Sequence, residues 1–203
     1  MVAGPTASGK TFFVRCLLEN QKYLLMNLPE RRKILWAYGQ WQTNYSKPIP
    51  GCEVEYVDGL PDDESISSSP PDLLIIDDLM TELGDNPRLA NMFTKGSHHL
   101  GMSIIFIVQN IFHQAKQMRN ISLNCHYFIL LKNPRDKSQI QNLARQLYPN
   151  KMKYFIEAYE DATKEPYSYL RVDLTPSTPE CFRLQSKLFP MNGEIAVVSY
   201  QMR

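Results

Sequence analysis

Apolar residues along this chain fall into short runs and helical stripes separated by polar turns. Leu73-Leu74-Ile75-Ile76 is a continuous apolar run, the kind buried on both faces of a parallel sheet. Ile34 to Tyr38 predicts a second strand, which Gly39 ends, and Glu53 to Val57 a third that is partly exposed. Gly101 leads into a strand over Ser103–Val108, and Cys125 to Leu131 reads as the next. Between these runs the period changes. Phe13, Cys16 and Leu17 have helical spacing within residues 10–19. Asn86-Pro87 reads as a capped helix start, with Leu89, Met92 and Phe93 on its apolar face. Ile140, Leu143, Ala144 and Leu147 make one stripe on a helix over Ser138–Leu147, with Pro149 beyond its end. Residues 111–121 read as a short helix or loop. Residues 58–71 read as a loop because of Gly59, Pro61, the serines around Ile66 and Pro70-Pro71.

Strands alternating with helices predict a three-layer α/β domain with a mainly parallel sheet. From about residue 154 the pattern shifts. Tyr154–Tyr159, Tyr169–Leu174 and Ile195–Tyr200 read as strands between Pro- and Thr-rich turns. The chain therefore divides into a core over residues 1–150 and a β-rich extension of the same domain over 151–203.

Composition narrows the class. The 203 residues are 43% hydrophobic and 21% charged, a globular balance. No apolar run approaches the roughly 20 residues that cross a bilayer, which argues against membrane insertion. No leader precedes the first motif, so an intracellular protein is expected, in the host cell nucleus or cytoplasm or associated with a virion. Cys16, Cys52, Cys125 and Cys181 are scattered without zinc spacing, and are read as reduced and mostly buried. The net charge of +1 hides an asymmetry. Glu53 to Asp85 carries eleven acids and no Lys or Arg, whereas His113 to Lys153 carries eight Lys or Arg against the single acid Asp136. Such asymmetry marks a nucleic-acid face, a subunit interface or an ordinary solvated surface.

The candidate chemistry begins almost at the first residue. Gly4-Pro5-Thr6-Ala7-Ser8-Gly9-Lys10-Thr11 matches G-x-x-x-x-G-K-[ST] in full. Glycines at both ends let the backbone curl so that successive N–H groups face a β-phosphate, and the following helix adds its positive end. Lys10 is placed to reach the β- and γ-phosphates, and Thr11 to offer its hydroxyl to Mg²⁺. A loop of this kind normally follows a buried strand of about five residues. At most three are present here, which leaves a fragment, an internal start or a very short first strand; truncation is the expectation, with much of the first strand missing.

Two further strand tips carry polar groups. The run Leu73–Ile76 ends in Asp77-Asp78, and strand tips on the carboxyl side of a parallel sheet form the ligand crevice. Asp77 is expected to hold Mg²⁺ with Thr11, and Asp78 to polarise the attacking water. The strand ending at Val108 delivers Gln109, whose amide can bond a γ-phosphate or water and sense it. Asn110 is read as a capping residue. For an arginine completing a neighbouring subunit's site the candidates are Arg119 first, then Arg88 and Arg135. His98, His99, His113 and His126 lack metal-ligand spacing, and His98-His99 reads as an interface or DNA contact.

In chain order, Gly4–Thr11, Leu73–Asp78 and Ile104–Asn110 resemble the FtsK/HerA-type DNA-pumping ATPases. The poxvirus-like genome-packaging ATPases, including those of Maverick/Polinton elements and adintovirus-like viruses, are the nearer likeness. His98–Ser103, Phe128–Asp136 and Gln139–Ala144 add to it. The resemblance covers roughly residues 1–150. It implies a RecA-like fold, Mg-ATP hydrolysis and a homo-oligomeric ring around double-stranded DNA, with a capsid or portal protein as a further partner. It also implies nucleotide roles for Lys10 and Thr11, a metal role for Asp77, water activation by Asp78 and sensing by Gln109. The chain departs from the wider pattern in having Asp78 where glutamate is commoner. The rival expectations are a helicase or recombination ATPase, a small-molecule kinase, and a non-catalytic nucleotide-binding scaffold derived from a viral element.

Overall fold

A computed structural model describes residues 1–24, 32–79, 86–93, 100–112, 116–190 and 193–202, with the backbone alone at 116 and 117. Two compact units are present. One comprises Met1–Phe13, Gln109–Phe112 and Cys125–Arg203, and the other Val14–Val108 and His113–Asn124. Elements are numbered below among the described residues.

The Val14–Val108 unit is built on four parallel strands, β2 (Lys33–Tyr38), β3 (Glu53–Asp58), β4 (Leu73–Asp77) and β5 (Ser103–Val108). β2 pairs with both β3 and β4, and β4 pairs with β5 in turn, with Ile75 opposite Trp36 and Ile105. β4 is buried at all five positions, which explains its unbroken apolar run. β3 alternates between exposed and half-buried residues, as its mixed sequence requires.

The Cys125–Arg203 unit pairs β1 (Val2–Ala3) in parallel with β6 (Tyr127–Leu131). β7 (Tyr169–Asp173), β8 (Leu184–Ser186) and β9 (Val198–Ser199) then follow by antiparallel pairing. The strands are therefore mixed: mostly parallel, as the alternating pattern predicts, with an antiparallel set over β7, β8 and β9 that it does not. β1 is two residues long and buried, with Ile129 N donating to Met1 O at 2.9 Å.

The helices are α1 (Lys10–Glu19), α2 (Gln21–Leu24), α3 (Asp63–Ser68), α4 (Pro87–Asn91), α5 (Lys116–Leu123), α6 (Lys137–Leu147) and α7 (Met152–Ala162). α1 lies where the spacing places it, but buries Phe13, Val14 and Leu18 rather than Cys16 and Leu17. Asn86 caps α4 by accepting from Arg88 N at 2.9 Å, with Pro87 in the first turn.

Four readings are corrected. Residues 63–68 form α3 inside the expected loop, because Asp62 accepts from Ser65 N at 2.6 Å and from Ser65 Oγ at 2.8 Å, and Ile66 is buried. Tyr154–Tyr159 is helical, not a strand. Phe155, Ala158, Tyr159 and Ala162 are buried at the 3-4-7 spacing of one helix face, so the extension is not purely β. Of Ile195–Tyr200 only Val198–Ser199 is paired as strand. The four cysteines form no disulfide with one another and are half-exposed rather than mostly buried. Among the described residues no helix is long and apolar enough to cross a membrane.

Candidate phosphate loop and carboxylate strand

Residues 4–9 leave β1 as a turn and enter α1 at Lys10. Two residues in left-handed conformation curl the loop, Ala7 at φ 63° and Gly9 at φ 97°. Glycine takes that conformation without cost, and alanine does not. Ser8 N donates to Pro5 O at 3.2 Å, and Phe13 N to Gly9 O at 2.8 Å. The loop is tightly seated. A Cβ on Gly4 would come within 2.6 Å of Ser8 Oγ and 3.0 Å of Leu131 Cβ, so residue 4 has to be glycine for the loop to lie against β6. A Cβ on Gly9 would lie 2.8 Å from the Tyr167 ring.

Lys10 Nζ donates to Gly4 O at 2.8 Å and to Pro5 O at 2.9 Å, so the ammonium lies over the loop's own backbone. Ser8 Oγ is buried without a hydrogen-bond partner among the described residues. A buried hydroxyl left this way calls for a ligand atom or water. A curled main chain, a cation over it and an unused hydroxyl fit a phosphate. Thr11 follows half-buried in the first turn of α1. Its hydroxyl and a carboxylate such as that of Asp77 are the hard oxygen donors that suit Mg²⁺.

In the other unit, β4 delivers Asp77 at its carboxyl end, only 2% exposed. Tyr45 donates its hydroxyl to Asp77 Oδ2 at 2.8 Å. Tyr45 sits on a single 3-10 turn over Thr43–Ser46, and its ring packs among Trp36, Tyr38, Trp41 and Tyr56 at centroid distances of 5.2 to 5.6 Å. Burial, then the charge of Asp77 and the bond to it, push the Tyr45 hydroxyl well above the ordinary tyrosine range. The buried Arg15 holds the same turn from α1, donating to Asn44 O at 2.9 Å, Lys47 O at 3.0 Å and Pro48 O at 3.3 Å. Nothing in the sequence reading marked Tyr45 or Arg15. Their one sequence signal is the density of aromatic residues between positions 36 and 56.

Asp78 is exposed and left-handed at φ 57°. Gly39 lies against its backbone. A Cβ there would fall 2.6 Å from Asp78 O, and Gly39 N donates to Asp77 O at 3.0 Å. The β2 tip thus fixes the turn that swings Asp78 away from the strand and leaves its side chain exposed.

Gln109 is exposed immediately after β5. Asn110 Oδ1 accepts from Phe112 N at 2.8 Å, closing a turn. Gln139, another residue without a motif, is buried on α6. It accepts from Ile111 N at 3.0 Å and donates to Asp136 Oδ2 at 2.8 Å. Tyr159 donates to Leu131 O at 3.0 Å and accepts from Asn133 N at 2.9 Å. The segment after Gln109 is thereby tied to α6, and α7 to the end of β6.

Arg119 is exposed on α5. Arg88 is engaged by Asp63 at 2.6 Å and by the Pro61 carbonyl. Arg135 is exposed just beyond β6. His98, His99 and His113 lie outside the described residues. In the Cys125–Arg203 unit, Lys132, Arg135, Lys137, Arg145, Lys151 and Lys153 are all exposed, so the basic stretch is a surface feature.

These elements form a three-layer α/β fold of mixed, mostly parallel strands, consistent with a P-loop NTPase-like architecture. The genome packaging NTPase B204 from Sulfolobus turreted icosahedral virus 2, in complex with sulfate, matches with a TM-score of 0.54 and 13% identity, over 87% of this chain and 91% of that one. The same protein in complex with ATP-gammaS matches with a TM-score of 0.52 and 13% identity, over 87% of this chain and 92% of that one. At that identity the likeness is one of fold. No protein-family model matches the sequence, and no curated protein sequence matches it.

Proposed function

We propose that this chain is a Mg-ATP-hydrolysing translocase of double-stranded DNA, RecA-like in core and of the FtsK/HerA type. The poxvirus-like packaging branch, including the Maverick/Polinton and adintovirus-like enzymes, is the proposed placement. The observation that carries the reading is the loop Gly4–Thr11, with its left-handed Ala7 and Gly9 and Lys10 folded over it. The shared fold with a protein described as a genome packaging NTPase in complex with ATP-gammaS supports it.

The proposed roles follow from the chemistry of each group. Gly4 to Gly9 present main-chain N–H groups to the phosphates, and Ser8 adds its hydroxyl. Lys10 exchanges its two loop carbonyls for phosphate oxygens as a point charge. Thr11 and Asp77 are the proposed Mg²⁺ ligands, Asp77 directly or through water. Bound Mg²⁺ supplies neutralisation of charge building on the β- and γ-oxygens. Asp78 orients the attacking water and accepts its proton. Gln109 bonds the γ-phosphate and passes its presence to residues 110–112, which Gln139 holds. Arg119 is the proposed arginine acting on a neighbouring subunit in a homo-oligomeric ring. The exposed cations of residues 132–153 grip the DNA backbone without reading sequence. A capsid or portal protein is the proposed docking partner of such a ring.

The test is ATP hydrolysis with and without long duplex DNA, on the wild type, Lys10→Ala and Asp78→Asn. Duplex stimulation lost in both variants is the expected result. Stimulation by single strands alone points to a helicase, and phosphate transfer to a small molecule to a kinase. Nucleotide binding without turnover points to a scaffold. Any of the three overturns the translocase reading.

A further inference from the structure

Tyr167 is a bulky aromatic held at φ 62°, a conformation that side chains of its size rarely adopt. Burial does not account for the strain, since 63% of the residue remains exposed. Strain retained at an exposed position points to function. Its location is specific. The ring edge lies against Gly9, where a Cβ would be only 2.8 Å from Cδ1. Beside it stands Phe12, 61% exposed, with ring centroids 6.5 Å apart and planes inclined by 55°. Phe12 is the residue next after Thr11, on the first turn of α1. Phe13, the next residue along, turns inward instead and is buried against Tyr169 at 4.6 Å, with the half-buried Phe189 at 5.2 Å. Phe12 and Tyr167 are thus an exposed aromatic pair at the rim of the phosphate loop.

From this arrangement we infer that Phe12 and Tyr167 form the nucleobase subsite, stacking the base of the nucleoside triphosphate whose phosphates Gly4–Thr11 hold. The inference rests on the phosphate-loop reading and adds to it the other end of the ligand. Ribose and base project from the α-phosphate, beyond the loop's grip on the β-phosphate, so an aromatic platform at the loop's rim is where a base can rest. Every base offers a π-face, so stacking retains nucleotides with little preference among them. Gly9 is required twice over here, for its own left-handed turn and for the close approach of the Tyr167 ring.

The test is calorimetric titration of the full chain with ATPγS and with inorganic tripolyphosphate, both with Mg²⁺. Tyr167→Gly removes the ring and keeps the backbone conformation, and Tyr167→Phe keeps the ring. In Tyr167→Gly, ATPγS affinity is expected to fall about tenfold while tripolyphosphate affinity is unchanged. Tyr167→Phe is expected to bind both as the wild type does, and Phe12→Ala to repeat the selective loss. Equal ATPγS affinity in Tyr167→Gly and the wild type overturns the subsite, as does an equal loss for both ligands. Wild-type chain that binds neither ligand, or Lys10→Ala that binds both unchanged, overturns the phosphate-loop reading itself and this inference with it.

Discussion

The hydroxyl of Tyr45 donates a hydrogen bond of 2.8 Å to the buried carboxylate of Asp77. A buried carboxylate is costly unless its lone pairs are occupied, and a donor from an aromatic cluster sets its orientation as well. Tyr45→Phe keeps the ring packing and removes the donor. Stability to urea is expected to fall by about 2 kcal/mol, the usual size for a hydrogen bond to a charged group. With Asp77 in its proposed metal role, activity is expected to fall about tenfold, as for residues that orient a metal ligand. Steady-state kinetics across a Mg²⁺ titration check this, with the half-saturating Mg²⁺ concentration raised.

The same bond gives a pH dependence. The Tyr45 hydroxyl is raised above the unfolded value of about 10 by burial and then by Asp77. A folded-state pKa raised in this way contributes stability that is fully present below about pH 10 and is lost as pH rises above it. Tyr56, Tyr148, Tyr154, Tyr159 and Tyr200 are also raised, burial being the first cause for each, and they add in the same direction. Urea unfolding midpoints are expected to decline above about pH 10, and Tyr45→Phe to decline less steeply.

Gly39 has no room for a side chain, because a Cβ would lie 2.6 Å from Asp78 O. Gly39→Ala must displace the turn that presents Asp78. A cost of about 1–3 kcal/mol is expected from overpacking. Hydrolysis is expected to fall further than that loss of folded protein explains, while ATPγS binding to the phosphate loop persists. Calorimetric binding beside steady-state hydrolysis separates the two effects.

The exposed cations of the Cys125–Arg203 unit predict a salt-dependent grip on duplex DNA. The slope of log affinity against log salt is expected to be negative. Arg135→Gln, Arg145→Gln and Lys151→Gln are each expected to lower its magnitude by about 1 where the residue meets a phosphate. Fluorescence anisotropy on a labelled duplex measures it. Binding that is indifferent to salt contradicts the backbone grip.

Local structure was readable from the chain, and long-range contact was not. The loop 4–11 and the strand ending at Asp77 stand out because each depends on nearby residues: one glycine where the main chain curls and one where it lies against β6, and an unbroken apolar run where a strand is buried on both faces. Tyr45 and Asp77 are 32 positions apart, and no spacing rule links a tyrosine on a single turn to a strand tip. Tyr167 meets Gly9 from a region whose pattern gave no site at all. The α3 and α7 corrections have local causes. A serine-rich helix held by one cap and one buried isoleucine looks like a loop, and an aromatic-rich helix looks like a strand when its composition outweighs its period.

The proposed function has the Gly4–Thr11 loop and Asp77 serve one Mg-nucleotide. Crystals grown with ATPγS and Mn²⁺ test it through the anomalous signal of the metal. The expected peak lies about 2.1 Å from Thr11 Oγ1 and the nucleotide oxygens, with Asp77 bonded to it directly or through one water. A metal-nucleotide bound elsewhere, or bound at the loop with the Asp77 carboxylate beyond the reach of a bridging water, contradicts the claim.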